Sequence, residues 1–260
     1  MVHHIIISMD PDRSKNVQTF KEWCTSNNRS FGIQTGIRVQ STEEAKPYLT
    51  DFGYYNIGRW RETSFHFDTL SPVGCFLSHR EVWKTCIHRN ETTWVFEEGV
   101  VSYDTERLNE LDSHHFDYDI LLGHSVPVIR LMKQTALETR SLGNGLQSID
   151  KIYFGTKCYR ITPRFAAHLL YKSLKFDLHV DSFICCVAMY DQDKFKSGRT
   201  THEIVSAKSS GTINHSLDRC LVYTISMISI TLLALVTIVY LIFKYSKCKK
   251  TLLKNRIFEI

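Results

Sequence analysis

The sequence contains no C-x-x-C pair. Its eight cysteines stand at positions 24, 75, 86, 158, 185, 186, 220 and 248, and no histidine falls at zinc-finger spacing from them. That excludes the common structural zinc frameworks. Cys75, Cys86 and the Cys185–Cys186 pair lie in apolar runs, where a free cysteine packs as a small hydrophobe. Buried thiols in a reducing compartment are expected, rather than a disulfide framework. A basic excess is also missing outside the tail. Of 32 Lys+Arg and 27 Asp+Glu residues, six bases and one acid follow Phe243, leaving 26 of each sign before it. A neutral domain lacks the basic face that a nucleic-acid partner requires, so nucleic acid is excluded as the main ligand. No internal repeat is present. No secretory signal is expected at the start, because "MVHHIIISMDPD" has only a short apolar stretch, no basic start and acids directly after it.

The composition, 43% hydrophobic and 12% aromatic over 260 residues, suits one sizeable globular domain. Leu221–Phe243 is a run of 23 residues without a charge. As a helix it would span roughly 34 Å, enough for a bilayer core of about 30 Å. A single-pass transmembrane helix is therefore expected there, with a basic tail over 244–260. The lysines after the helix favour a cytoplasmic tail. A tail of only 17 residues instead suits insertion after synthesis, with the domain in the cytosol, and that reading is preferred. The sequons at Asn28, Asn90 and Asn214 do not decide between them. The expected organisation is a domain over 1–195, a polar linker and domain tail over 196–220, the span and the tail.

Within the domain, Val2–Met9 reads as a buried strand stopped by "DPDRS". Val17–Cys24 suits a short amphipathic helix, "IQTGIRV" (33–39) a second strand, and Thr42–Leu49 a helix with a partial capping box at Thr42. Residues 51–72 read as irregular. "PVGCFLSHREVWKTCIHRN" has helical spacing from Pro72. A strand over Trp94–Glu97, an acidic helix over Thr105–Leu111 and the strand "YDILLG" (118–123) follow. Residues 124–150 read as a long loop, "KIYFGTKCYRI" as a pair of short strands, and "TPRFAAHLLYKSL" as a helix capped by Thr162. Alternating strands and helices predict an α/β fold with a mostly parallel sheet and helices on both faces. In such sheets ligands bind beyond the carboxyl ends of the strands.

The stretch "TTWVFEEGVVSY" places Glu97 and Glu98 at such an end, and Asp10 stands at another. Paired carboxylates on a rigid strand suit a divalent metal carrying substrate phosphates, whereas the plain alternative is a solvated turn.

Taken in order, "PVGCFLSHREVWKTCI", "WVFEEGV", "DYDILLG", "CYRITPRFAAHLL" and "HVDSF" resemble glycosyltransferase family 25. That family includes bacterial lipopolysaccharide galactosyltransferases and procollagen galactosyltransferases. Gly74, Ser78 and His79 match its G-x-x-x-S-H helix, Glu97 and Glu98 the first two acids of its E-D-D strand end, and Asp119 its next strand. Tyr159, Ala166, Leu169 and Leu170 match the later helix, Asp181 the late V-D, and Asp10 the aspartate of the opening strand. The resemblance implies a GT-A-type Rossmann-like fold, a UDP-sugar donor such as UDP-galactose or UDP-glucose, and inversion at the sugar on transfer to a hydroxyl acceptor. It further implies Asp10, Arg13, Ser78, His79 and Glu97 around the nucleotide-sugar. Manganese or magnesium would lie on Glu97 and Glu98, and Asp181 would work on the acceptor as the general base that inversion needs.

Two departures stand out. Gly99 replaces the third acid of E-D-D, and "ISMDPDRSKN" lacks the usual asparagine before Leu-Asp. They keep open a second reading, a membrane-anchored protein that retains the scaffold for binding without turnover. A Ser–His hydrolase is set aside, since Ser78 and His79 are adjacent on a helix and point apart, and no G-x-S-x-G elbow is present.

Overall fold

The computed structural model describes residues 2–58, 69–113, 117–127, 138–154 and 156–207. The first strand, β1 (Val2–Ser8), is buried along nearly its whole length. Helices cover the sheet on both faces, which is why its sequence is almost continuously apolar. Helix α1 (Lys15–Ser26) is started by Ser14, whose hydroxyl accepts from Val17 N at 3.3 Å. It is followed by Asn28 in the left-handed region, at φ 50°. Next come β2 (Ser30–Thr35), α2 (Thr42–Ala45) with a 3-10 turn over Lys46–Tyr48, and α3 (Asp51–Asn56). The long α4 (Leu70–Arg89) ends on Asn90, again left-handed at φ 52°. Two of the three sequon asparagines thus have a backbone reason to be asparagine, which tolerates this conformation better than most residues.

Beyond α4 lie β3 (Thr92–Glu97), β4 (Val100–Tyr103), α5 (Thr105–Ser113), β5 (Ile120–Leu122) and β6 (Val126–Pro127). Then follow β7 (Ser141–Gly143), β8 (Leu146–Gln147), β9 (Tyr153–Phe154) and β10 (Cys158–Ile161). The described chain closes with α6 (Pro163–Lys172), α7 (Val180–Tyr190), β11 (Ser197–Thr200) and β12 (Val205–Ala207). The main sheet has the order β2-β1-β3-β10-β5-β11-β8-β7, with small pairs β12-β4 and β6-β9 beside it. β1 is parallel to β2 and β3, and β11 to β5. Antiparallel pairing puts β10 and β8 against the direction of the other strands. The expected mostly parallel direction holds, with β10 reversed at the centre.

Strand alternation divides the core in two. Ile5, Ile7, Val95, Tyr159 and Ile161 face α4, α6 and α7, where Phe76, Trp83, Phe165 and Ile184 pack. Ile6, Trp94, Phe96, Leu121 and Cys158 face α1 and α5, against Phe20, Cys24, Leu108 and Leu111.

Several sequence expectations are corrected. The second strand begins at Ser30 and ends at Thr35, because Gly36 N turns to donate to Ser8 O at 2.7 Å and the chain then leaves the sheet. The cap of α2 is Ser41, one residue before Thr42. Its hydroxyl accepts from Glu44 N at 3.2 Å, while the Glu44 carboxylate accepts from Gln40 N. Residues 51–56, read as irregular, form α3. The expected loop over 124–150 contains β6 and the hairpin β7–β8, turned by Gly143, Asn144 and Gly145, all at positive φ. The stretch expected to be linker and domain tail contains β11, inside the main sheet, and β12, so its described part belongs to the domain. Among the described residues no helix is long and apolar enough to cross a membrane, and the expected span at 221–243 lies outside them.

Candidate active site

β1 and β3 end side by side, with Ile7 opposite Glu97 in the register. Glu97 is odd-numbered like Val95 and turns to the α4 face; Glu98 turns to the α1 face. The adjacent pair therefore does not share a ligand position. The Glu98 carboxylate accepts from Ser8 Oγ at 2.8 Å and Met9 N at 3.2 Å, and its backbone carbonyl accepts from Asn16 Nδ2 at 2.7 Å. Burial alone would raise its pKa, but the hydrogen bonds of Ser14, Ser8 and Met9 outweigh that and hold it below the usual carboxylate value. Glu98 fastens the β1–α1 turn to the end of β3.

Glu97 has different company. One oxygen accepts from Thr156 Oγ1 at 2.6 Å and lies 3.4 Å from His79 Nε2. Burial again opposes ionisation. His79 and the Thr156 hydroxyl, with Lys157 further off, prevail and hold the carboxyl below its ordinary value. His79 is fully buried on α4, and its Nδ1 stands 2.9 Å from the Tyr159 hydroxyl, which also accepts from Trp83 Nε1 at 3.0 Å. Cys75, one helical turn before His79, is exposed and completes a group whose Sγ, imidazole nitrogen and carboxylate oxygen all lie within 4.8 Å of one another. Its thiol is nonetheless ringed by protein atoms. That burial, then the negative charge of Glu97 and Asp181, pushes it well above the usual thiol range. Cys75 was expected to be a buried hydrophobe, and its C-x-x-x-H spacing with His79 on one helix was the signal that marked it otherwise.

Ser78 is where the expectation of a nucleotide contact meets a competing use. Its hydroxyl donates to Gly74 O at 2.8 Å and accepts from Ile37 N at 2.8 Å. A Cβ on Gly74 would stand 2.4 Å from Ile37 O. Gly74 and Ser78 thus hold the segment after β2 directly on α4, and the Ser78 side chain is buried in that contact. Asp10 is exposed in the β1–α1 turn, with Oδ2 3.9 Å from Arg13 Nε, also exposed. Asp181 sits in the first turn of α7, its Oδ1 accepting from Ser182 N at 2.8 Å. Asp119 belongs to another place: it accepts from Thr162 Oγ1 and Lys196 N at the amino end of β5, far from the β3 terminus along the sheet. A cavity of about 900 Å³ also opens at that opposite end, lined by Val2, Thr92, Arg29, Asp112 and Asp119 among others. Asp10, Glu97, Glu98 and Asp181 are not in its lining.

The sheet, the flanking helices and the polar cluster at the strand ends define a mixed α/β protein of GT-A-like architecture. The chain belongs to glycosyltransferase family 25: the model described as glycosyltransferase family 25 (LPS biosynthesis protein) matches residues 1–184. The match runs from β1 into α7 and covers every site residue considered above. Among curated proteins, none matches the chain.

Proposed function

We propose that the protein transfers a hexose from a UDP-sugar to a hydroxyl acceptor with inversion. The family match carries this reading, together with the grouping of Glu97, His79 and Cys75 beyond the carboxyl ends of β1 and β3. In the proposed step the acceptor oxygen attacks the anomeric carbon, the bond to the diphosphate breaks on the opposite face, and Asp181 takes the acceptor proton. General-base action of this kind contributes about 10²–10⁴ in rate. Asp10 and Glu97 would orient the ribose and sugar hydroxyls, and the exposed Arg13 would offset charge on the departing UDP. Ser78 would act through the backbone it fastens rather than through the nucleotide. Glu97 and Glu98 together do not suit the family's divalent metal, since their side chains face opposite sides of the sheet. Transfer and hydrolysis assays with UDP-galactose and UDP-glucose, with and without manganese, test the reading; release of UDP in neither would sink it.

A second reading, a scaffold that binds without turnover, is favoured by Gly99 and by the full engagement of Glu98 with the β1–α1 turn. UDP binding without release of sugar would select it. We also propose that residues 221–243 anchor the domain as a single pass, with the domain cytosolic, on the strength of 23 consecutive uncharged residues. Glycosidase sensitivity of the expressed chain would place the domain on the other side.

A further inference from the structure

We propose that Cys75, His79 and Glu97 form a binding site for a borderline transition metal of the zinc class, with an open coordination position facing solvent. Three observations carry it. First, α4 brings Cys75 and His79 onto one face at i and i+4, and β3 delivers Glu97 against them, all three ligand atoms lying within 4.8 Å. Tetrahedral coordination at zinc-like bond lengths spaces its ligands roughly 3.3–3.8 Å apart. The His79–Glu97 separation of 3.4 Å already has that value.

Second, His79 Nε2 is buried and faces the Glu97 carboxylate at 3.4 Å without forming a well-aligned hydrogen bond to it. A metal held between the two would give both groups a stronger partner. The other ring nitrogen meets the Tyr159 hydroxyl, itself fixed by Trp83, in the way outer partners orient a ligating imidazole. Thr156 plays the same part for Glu97. Third, the donor set is sulfur, nitrogen and oxygen. Magnesium and manganese prefer oxygen alone, whereas thiolate with imidazole selects zinc, cobalt or iron. Three protein ligands with a fourth position open is the form of a reactive rather than a purely structural zinc site. Binding would replace the thiol proton by the metal and release that proton to solvent.

Cobalt(II) added to the metal-free full-length protein tests this. Tetrahedral cobalt bound by the site gives a thiolate-to-cobalt charge-transfer band and intense visible bands. Zinc displaces them, and millimolar magnesium does not. Cys75→Ser should remove the charge-transfer band and weaken binding at least about 100-fold, and Tyr159→Phe should weaken it about tenfold. Because Cys75 is exposed, its serine variant is expected to fold, and far-ultraviolet circular dichroism checks that. Absence of the bands in the native chain, or their survival in Cys75→Ser, overturns the site. The latter result would leave His79 and Glu97 as a simple ion pair. The site draws on the transferase reading only for its setting. Cobalt bands without sugar transfer reject the transferase, whereas transfer without bands rejects the metal site.

Discussion

His79 Nε2 lies 3.4 Å from Glu97 Oε1, while the next carboxylate, Glu98, accepts from Ser8 Oγ on the other face of the sheet. Adjacent in sequence, the two acids have separate duties. Glu97→Gln keeps the shape but loses the charge beside His79, and should lower sugar transfer at least about 100-fold, the scale of a lost electrostatic contact in a closed site. Glu98→Gln weakens charge-assisted bonds to Ser8 and Met9. It should cost about 1 kcal/mol of stability, less than a buried charged bond because the group is half-exposed. Kinetics and urea unfolding of both variants read the division. Unchanged transfer in Glu97→Gln would remove that residue from the chemistry.

The Gly74–Ser78 pair predicts a stability defect rather than a nucleotide defect. Ser78→Ala leaves Ile37 N without its acceptor in a buried contact, at about 1–3 kcal/mol. Gly74→Ala forces a methyl against Ile37 O and should cost a similar amount. Both should lower the urea midpoint while leaving UDP affinity of the folded fraction within about twofold. A selective loss of UDP affinity in Ser78→Ala at unchanged stability would return the hydroxyl to the nucleotide.

What the sequence made legible follows from where its signals are local. β1, α4, β3 and α6 announce themselves by continuous apolar runs or helical spacing, and Thr162 does cap α6 as expected, accepting from Phe165 N at 3.3 Å. β7, β8, β11 and β12 are only two to four residues long, too short to show a pattern of alternation. Their strand character comes from partners distant in the chain, so no window of sequence holds it. The site was half legible for the same reason. Glu97 and His79 were singled out by their motifs, but the alternation that sends Glu98 to the far face is settled only once β3 lies between β1 and β10. Cys75 reads as a core residue from its apolar neighbours, and only its four-residue spacing to His79 points the other way.

His4 predicts acid sensitivity. Burial first, then the nearby Arg29 guanidinium, lowers its pKa from 6.5 to about 4, although Asp112 and Ser30 O pull the other way and His3 adds a little. The folded state therefore refuses a proton that the unfolded chain accepts below pH 6.5. Stability is full above that pH, falls as pH drops towards about 4, and then levels as the folded state protonates. The loss should be on the order of 3 kcal/mol. His3, also lowered by burial and by Arg89, acts in the same direction. Urea unfolding of the native chain and of His4→Gln between neutral pH and pH 4 measures it. The variant should show a distinctly shallower slope; an identical slope would assign the acid effect elsewhere.

The domain boundary can be decided by truncation. Residues 1–208 form one compact unit. Within it, β11 supplies the parallel neighbour of β5 and carries the β8–β7 hairpin on its other edge. Asp119 N donates to Lys196 O at 2.8 Å, and Ile204 and Val205 complete the core beneath β4. A chain ending at Phe195 loses all of this at once. Burial of Ile204 and Val205 alone contributes roughly 3–6 kcal/mol, at about 1.5–3 kcal/mol for each side chain. The loss is a large share of the 5–15 kcal/mol that typically separates folded from unfolded domains. The chain ending at 208 should unfold in one cooperative urea transition, whereas the chain ending at 195 should show none or a midpoint shifted far down. Equal midpoints would mean that β11 and β12 are ornaments on a domain already complete without them.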